Sequence, residues 1–340
     1  NNIIVSGVGV DTISVGVGNN RITAGDGANT ITAGPTGSGN NVITAGTGAD
    51  TITAGDGDNR INGGDGANTI TTGPTGEGNN VIITGDGIDT ITAGNGDNCI
   101  DAGDAANTIT AGPTGFGNTT IVAGTGIATV TAGNGNNYID AGSIGAKTIT
   151  AGSGNNLSVG GSAIDTITAM GGNNMIDAGG GANTITTGIG NDVITTGVAI
   201  DTVTSGAGDD VITAKGGADT IVAGTGYDRL IIDFSAMTTH MNSSALPAIG
   251  SLTGTFGDGS ANILTFTSIE EFDITTGSGN DNILTGAGAG VLDGGSGSNV
   301  LSSGGGSDLI FGNIGDVIDG GEDADGSDFD TLNLDHIGLH

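Results

Sequence analysis

The chain has 340 residues, of which 72 are glycine, and it contains no tryptophan, seven phenylalanines and two tyrosines. So few large side chains cannot fill the two or three cores that an ordinary globular chain of this length would have. The formal net charge of −32, from 37 acidic and five basic side chains, argues against nucleic acid or anionic lipid as partners and favours divalent cations.

A nine-residue pattern organises the sequence from Gly7 to Ile232. It is clear in Gly46–Ala54 and again in Gly55–Gly63, where a glycine-rich turn precedes a short strand with a large aliphatic residue at its centre. The pattern G-x-G-x-[D/N]-x-[I/V/L]-x-[A/G/T] resembles the haemolysin-type calcium-binding (RTX) nonapeptide, G-G-x-G-x-D-x-U-x. The resemblance implies an all-β fold, a right-handed parallel β-roll or β-solenoid, with Ca2+ as its ligand.

Successive copies alternate in character, as expected if each coil of a thin solenoid has one strand on either side. One set carries Thr-Ile-Thr, as in Thr51-Ile-Thr53, and the other is mixed, as in Arg21-Ile-Thr23. Alternation along a strand points the central residue inward and its neighbours outward. We therefore expect one inward column of Ile13, Ile31, Ile52, Ile70, Ile91 and Ile109, and a second of Ile22, Ile43, Ile61, Ile82 and Ile100. Two outward threonine files should contain Thr30, Thr51, Thr69, Thr90, Thr108, Thr129, Thr148, Thr166, Thr184 and Thr202, and Thr32, Thr53, Thr71, Thr92, Thr110, Thr131, Thr150, Thr168, Thr186 and Thr204.

A longer period is superimposed on the short one. Gly34-Pro-Thr-Gly37, Gly73-Pro-Thr-Gly76 and Gly112-Pro-Thr-Gly115 are 39 residues apart, which corresponds to four copies of the repeat plus a three-residue insertion. This spacing predicts a two-coil superrepeat with an insertion on one edge at every second coil. The pattern weakens around Ser143–Lys147 and Leu157–Val159, where we expect an irregular coil.

Three regions follow from where the pattern stops and restarts. Residues 1–232 are predicted to be a regular β-roll with the two-coil superrepeat. Residues 233–275 lack the nonapeptide but contain alternating runs, which predicts a short β-rich insertion. Residues 276–340 form a second RTX block with an acidic end. Because the first residue falls within a repeat, we expect the chain to be part of a longer protein.

The resemblance also indicates where calcium binds. In RTX repeats the ion lies between turns stacked on the same edge, held by the aspartate of the motif and by turn carbonyls, and calcium takes six to eight oxygen ligands. The matching residues are Asp11, Asp50, Asp89, Asp165, Asp192, Asp201, Asp210, Asp219, Asp228, Asp281 and Asp308.

Many turns depart from this motif. Thr119, Ala128 and Lys147 match neither aspartate nor asparagine. Asparagine retains an acceptor oxygen but loses the charge on which calcium affinity depends, and stacked asparagines can instead form hydrogen-bonded ladders. Both interpretations remain open for the asparagine turns, which are those of Asn20, Asn29, Asn41, Asn59, Asn68, Asn80, Asn98, Asn107, Asn137, Asn156, Asn174 and Asn183.

Other chemistry is sparse. His240, His336 and His340 lack the spacing of zinc ligands. The acidic file of Asp101, Asp140 and Asp177 lacks neighbours that would build a glycosidase site, so we do not expect an enzyme. The single cysteine, Cys99, excludes an internal disulfide framework, and it should point outward as a free thiol or form a bridge between molecules. No apolar run is long enough to cross a membrane as a helix, so direct membrane insertion is not expected.

These features favour an extracellular calcium-binding structural protein: a component of a surface layer, adhesin or filament that is secreted, resembles type I secretion substrates, and folds and assembles on binding calcium. Its expected partners are calcium ions and either further copies of itself or other cell-surface components. Two alternatives remain. The Thr-x-Thr face resembles that of ice-binding solenoids, and the repeats could also be a carbohydrate-binding module of a larger enzyme.

Overall fold

A computed structural model describes residues 1–73, 76–243, 252–259, 263–286, 288–321, 326 and 328–334. All regular secondary structure in these ranges is β-strand. No helix long and apolar enough to cross a membrane occurs among them. The chain divides into two compact units, residues 1–179 (unit 1) and 180–340 (unit 2). The all-β solenoid expected from the repeat is confirmed.

Unit 1 consists of two parallel sheets whose strands alternate along the chain. Sheet A contains β1 (Ile3–Val5), β3 (Arg21–Thr23), β5 (Val42–Thr44), β7 (Arg60–Gly64), β9 (Val81–Thr84), β11 (Cys99–Asp101), β13 (Thr120–Val122), β15 (Tyr138–Asp140), β17 (Leu157–Val159) and β19 (Met175–Asp177). Sheet B contains β2 (Thr12–Val15), β4 (Thr30–Ala33), β6 (Thr51–Ala54), β8 (Thr69–Thr72), β10 (Thr90–Ala93), β12 (Thr108–Ala111), β14 (Ala128–Ala132), β16 (Lys147–Ser153) and β18 (Thr166–Gly171). Each strand is one rung, and it pairs with the strand one coil away.

The register of these pairs stacks equivalent repeat positions. Ile31 aligns with Ile52 in sheet B, and Ile22 aligns with Ile43 in sheet A. Both predicted isoleucine columns are buried, and every member except Ile13, which is 8 % exposed, is at most 1 % exposed. Two residues further along most strands, a small residue such as Ala33 is buried as well. The core is therefore a narrow double column, which accounts for the scarcity of aromatic residues.

Glycine is required in the turns because consecutive coils lie in direct contact. Gly64 has a φ of +73°, and a Cβ atom added to it would lie 1.7 Å from the carbonyl oxygen of Gly46 in the preceding coil. No other residue fits such a turn without moving the backbone. The turns are thus packed as closely as the strands, which places the residue before each strand at an inter-coil contact.

The coil expected to be irregular keeps its strand pairing, although it is one residue longer than the coil that follows it. Tyr138, Ile139 and Asp140 pair in unbroken register with Leu157, Ser158 and Val159. Within the strand the inward side chain changes, because Ser158 takes the place of an aliphatic residue and is fully buried. The hydrogen bonds of the parallel ladder come from the backbone, so the ladder survives a change of inward side chain.

Unit 2 has the same two-sheet construction. Sheet A contains β21 (Val193–Thr195), β23 (Val211–Ala214), β25 (Arg229–Asp233), β29 (Glu271–Thr275), β31 (Val291–Asp293), β33 (Leu309–Phe311) and β35 (Thr331–Asn333). Sheet B contains β20 (Thr184–Ile189), β22 (Thr202–Ala207), β24 (Thr220–Thr225), β26 (Asn242–Ser243), β27 (Leu252–Gly257), β28 (Ile263–Ile269), β30 (Asn282–Leu284), β32 (Val300–Ser302) and β34 (Val317–Asp319).

The segment that lacks the nonapeptide contributes rungs to the roll. Strand β28 pairs parallel with β24, and β29 pairs parallel with β25. Strand β27 is antiparallel to both β26 and β28 and lies between them in sheet B. Phenylalanines pack in the core here, with ring centroids 5.6 Å apart for Phe234 and Phe256 and 5.0 Å apart for Phe266 and Phe272.

Candidate metal-binding turns

The residue before each strand lies inside the turn and contacts the adjacent coil. We call the turns that lead into sheet A edge A, and those that lead into sheet B edge B. Of the eleven predicted aspartates, Asp11 is half-buried and the other ten are at most 2 % exposed. They divide between the edges, with Asp192, Asp210, Asp228 and Asp308 on edge A, and Asp11, Asp50, Asp89, Asp165, Asp201, Asp219 and Asp281 on edge B.

One carboxylate oxygen ties two coils together. The backbone N–H of Asn29 donates to Oδ1 of Asp50 at 2.7 Å, and that of Asp201 donates to Oδ1 of Asp219 at 2.8 Å. The same contact joins Met241 to Asp281 at 2.7 Å, across an offset of 40 residues. Motif aspartates therefore have a structural role that does not require a metal.

The second carboxylate oxygen, Oδ2, is a better indicator of a bound cation than Oδ1. In nine of the predicted aspartates Oδ2 is buried and has no hydrogen-bond partner among the described residues; these are Asp11, Asp50, Asp89, Asp201, Asp210, Asp219, Asp228, Asp281 and Asp308. A buried carboxylate oxygen without a partner is strongly destabilising. A bound cation removes that penalty, so these residues fit a calcium site.

Burial also raises the pKa values of several of these carboxyl groups. Desolvation raises the pKa of Asp219 to about 7 and that of Asp308 to about 7. The pKa of Asp228 rises to about 6, mainly through desolvation and further through the charges of Asp210 and Glu270. Without a cation, these carboxyl groups therefore bind their protons more tightly than ordinary aspartates do.

In the asparagine turns, the side-chain amide donates hydrogen bonds to carbonyl oxygens of the same turn. Nδ2 of Asn29 donates to the carbonyls of Gly25 at 3.0 Å and Gly27 at 2.8 Å, four and two residues earlier in its own turn. Asn59 makes the same two bonds. Asparagine and aspartate have the same shape and use Oδ1 for the same inter-coil bond. In an aspartate turn an acceptor therefore takes the place of the amide donor, and a cation is needed between oxygens.

Edge A of unit 1 is an asparagine ladder. Oδ1 of each asparagine accepts the backbone N–H and the Nδ2–H of the asparagine one coil earlier, with the side-chain bonds at 2.8–3.0 Å. The ladder joins Asn2, Asn20, Asn41, Asn59, Asn80 and Asn98, and resumes through Asn137, Asn156 and Asn174. Its carbonyls and amides bond to each other, which favours the metal-free alternative for this edge.

Edge B of unit 1 mixes both kinds of turn. Asp11, Asp50 and Asp89 alternate with Asn29, Asn68 and Asn107, and each aspartate is flanked by neutral residues. Any ions here would be separated by a metal-free turn. Lys147 departs most from the motif: it is 2 % exposed, and its Nζ donates to the carbonyls of Gly124 at 3.1 Å and of Gly126.

Edge A of unit 2 is the most acidic column. The N–H of Asp192 donates to Asp210, that of Asp210 to Asp228, and that of Asp228 to Oε2 of Glu270 at 2.8 Å. Glu270 was missed in the sequence because it lies in the segment without nonapeptides. Its signal is its place two residues before the inward Phe272, as Asp228 stands before Leu230. Four carboxylates stacked at about 4.8 Å per rung repel one another unless cations lie between them.

The remaining candidate residues give little support for a metal site. No group of three or more His, Cys, Asp or Glu side chains suited to a metal occurs in the described part of the chain. Sites built from one or two carboxylates and turn carbonyls would not form such a group. Nδ1 of His240 accepts the N–H of Asn280 at 2.8 Å, whereas His336 and His340 lie outside the described residues. Cys99 is an exposed free thiol.

Stacked parallel coils joined by glycine-rich, oxygen-lined turns define a parallel β-roll. The family model of the RTX calcium-binding nonapeptide repeat (4 copies) matches residues 5–36, 35–70, 74–109, 113–143, 159–194, 195–230, 273–292, 285–316 and 293–327. These matches cover most of the chain, which therefore belongs to this family, and membership implies calcium binding. A search of the curated proteins found no match.

Proposed function

We propose that this chain is an extracellular calcium-binding structural protein, part of a surface layer, adhesin or filament. The observation that carries the proposal is the set of nine buried Oδ2 atoms at aspartate turns that have no hydrogen-bond partner among the described residues. Each is suited to an ion shared with turn carbonyls, and the sites recur along the scaffold as a structural role requires. The role we infer is architectural rather than catalytic.

Calcium in this proposal completes the fold. Without ions, stacked carboxylates on an edge repel one another, so ion binding contributes to the free energy of folding. This coupling would favour secretion, because the coils with stacked aspartate turns remain poorly folded where calcium is scarce and fold outside the cell. The test compares circular dichroism in millimolar calcium and in excess chelator. Identical spectra and identical melting curves would contradict the proposal.

Self-association is supported by the outward face of sheet B. In unit 1 the first threonine file runs in register through Thr30, Thr51, Thr69, Thr90, Thr108, Thr129, Thr148 and Thr166. Its members are exposed, and the parallel file of Thr32 is half-buried. Electrostatic repulsion between two copies of such an acidic protein is weakest where they meet through an uncharged face. Electron microscopy in calcium should reveal ordered sheets or filaments.

Ice binding is the second candidate, favoured by the same two files of threonine hydroxyls on a regular face. It requires the face to be free in solution. Thermal hysteresis of the calcium-loaded chain tests it directly: hysteresis together with a monomeric sedimentation coefficient would replace the assembly proposal.

A further inference from the structure

The turn before β14 lacks the usual side chain. Ala128 stands at the motif position and has neither amide nor carboxylate, and it aligns with Lys147 of the next coil. Its turn carbonyls at four and two residues earlier are Gly124 and Gly126. These are the two oxygens that accept hydrogen bonds from Nζ of Lys147.

Asn29 makes the equivalent contacts within its own turn. Nδ2 of Asn29 donates to the carbonyls at the same two offsets, Gly25 and Gly27. Three turn types therefore treat the same pair of oxygens in three ways. An asparagine supplies its own amide, an aspartate leaves the oxygens for a cation, and at Ala128 an ammonium group arrives from the adjacent coil.

The ammonium of Lys147 interacts with turn oxygens much as a metal would. Among the described residues, salt bridges are formed by Arg229 and not by Lys147. The Lys147 backbone N–H donates to Oδ1 of Asp165 at 2.7 Å, so its own motif position is also part of the inter-coil tie. The side chain thus crosses from one coil to complete the turn of the coil before it.

We propose that Lys147 is a covalently attached cation that fills the ion position of the Ala128 turn and excludes calcium from it. The inference rests on the proposed binding of calcium at the aspartate turns. It makes Lys147 a specificity-determining residue, since it keeps metal out of the Ala128 turn of edge B.

The test uses substitutions in the full chain. K147M removes the ammonium and retains the apolar stem, and it should lower Tm by roughly 5 °C in calcium and in chelator alike, since alanine offers no anion to hold an ion. A128N/K147M should recover the loss in both conditions. A128D/K147M should recover it only in calcium and should bind one ion more than the wild type by isothermal titration calorimetry.

The matched control is K215M, which removes an exposed lysine and should leave Tm unchanged. The inference is overturned if K147M melts like the wild type, or if A128D gains a calcium ion while Lys147 is present. Should K147M fail to fold, the two double variants still decide the question. A wild-type chain that binds no calcium would contradict the proposed function, whereas destabilisation by K147M with rescue by A128N would still support the contact.

A separate observation concerns the outward face of sheet A in unit 1. From β3 to β15 its only charged side chains are Arg21, Arg60, Asp101 and Asp140. The arginines are exposed, and neither forms a salt bridge within the described residues. The two arginines lie toward one end of this face and the two aspartates toward the other. The two members of each like-charged pair are 39 residues apart in sequence, which is two rungs.

The charges are arranged symmetrically about β9. Arg60 on β7 and Asp101 on β11 are each one rung from it, and Arg21 on β3 and Asp140 on β15 are each three rungs from it. A second copy turned end to end over this face would bring each arginine to the rung of an aspartate. The lateral offset between the outward positions of a strand is about 6–7 Å, which an arginine side chain can span.

The centre of the same face is apolar. Ile83 of β9, Val42 of β5 and Val122 of β13 are each more than a third exposed, at 36, 37 and 36 %. These three residues lie on β9 and at equal distances on either side of it. We infer that this face pairs with itself in a twofold antiparallel dimer. A wholly anionic partner would be repelled by the aspartate half, whereas a second copy offers both signs in the required order.

Charge reversal in the full chain tests the dimer by sedimentation velocity in calcium at low salt. R60D and D101R should each weaken association by about tenfold or more, because like charges then meet twice. Mixing the two variants should restore it, as should the double variant R60D/D101R. D177R on β19, whose rung has no arginine opposite it, is the control and should leave the dimer intact. Equal effects of R60D and D177R, or no recovery on mixing, would overturn the inference.

Discussion

The backbone N–H of Asp210 donates to Oδ1 of Asp228 at 2.9 Å, and Oδ2 of both residues is buried with no hydrogen-bond partner in the described part of the chain. Two groups of the same charge are thus stacked one coil apart, inside a turn that has no amide to offer its carbonyls. Hydrogen bonding fixes the coils relative to each other but does not balance the charge. This leaves a defined need for a cation between the two coils.

Replacing Asp210 by asparagine should make its turn independent of metal. The new amide can donate to the turn carbonyls as that of Asn29 does, and the inter-coil bond through Oδ1 is retained. We expect D210N to bind fewer calcium ions and to lose less stability in chelator than the wild type. Calorimetric stoichiometry and melting curves measure both. D209N, which changes an exposed neighbour, is the control, and unchanged stoichiometry in D210N would exclude this turn as a site.

Chelation should act unequally on the two units. Edge A of unit 1 is a hydrogen-bonded asparagine ladder, whereas edge A of unit 2 stacks Asp210, Asp228 and Glu270. Hydrogen exchange of the whole chain, followed by mass spectrometry, should reveal loss of protection in unit 2 after calcium removal, with unit 1 largely protected. Equal loss of protection in both units would contradict this division.

The pH dependence without calcium should be the reverse of ordinary acid denaturation. The folded pKa is about 7 for Asp219 and Asp308 and about 6 for Asp228, against about 4 in an unfolded chain. The folded state therefore binds these protons more tightly, and their contribution to stability is complete below about pH 4 and is lost as pH rises through 6 to 7. In chelator, the Tm should therefore rise as the pH is lowered from 8 to 5, which melting curves measure.

With calcium present, the same protons compete with the ion. Calcium affinity should fall as pH drops below about 7, because the ligand must be deprotonated. Titrations at pH 8 and pH 6 measure this. An affinity that does not change over that range would mean that these carboxylates are not ligands.

The threonine face predicts a separation between assembly and folding. Replacing Thr90, Thr108 and Thr129 by lysine puts three charges on adjacent rungs of sheet B, and all three positions are exposed. Ordered assemblies should disappear from micrographs while Tm changes little, since exposed substitutions typically alter stability by about 0.5 kcal/mol or less each. If assemblies persist while thermal hysteresis of the wild type is lost, the ice-binding alternative is favoured.

Short-range periodicity was sufficient to predict the core. The position of Ile52 between two threonines determines that it points inward, and the same argument holds for each rung because the repeat restores the register. The motif position also identified the turn aspartates. Nothing in one nonapeptide, however, reveals that Asn29 would bond to its own turn carbonyls, since that depends on the turn geometry.

Contacts between coils were harder to predict from the sequence than the core. Lys147 looked like a defect in the motif because its partners, Gly124 and Gly126, belong to the preceding coil and are reached only by a long side chain. Glu270 was hidden for a related reason. About forty residues separate it from Asp228, yet the two are stacked neighbours once β29 pairs with β25.

The 39-residue unit has a consequence for how such a gene can change length. Because Thr30 pairs with Thr51 and Thr51 with Thr69 in identical register, residues one unit apart have equivalent surroundings. Unequal crossing-over that adds or removes one unit would leave every remaining rung with a suitable neighbour, without compensating changes in the core. We expect natural variants of this chain to differ by whole units of two coils, so that the length of the scaffold varies in discrete steps.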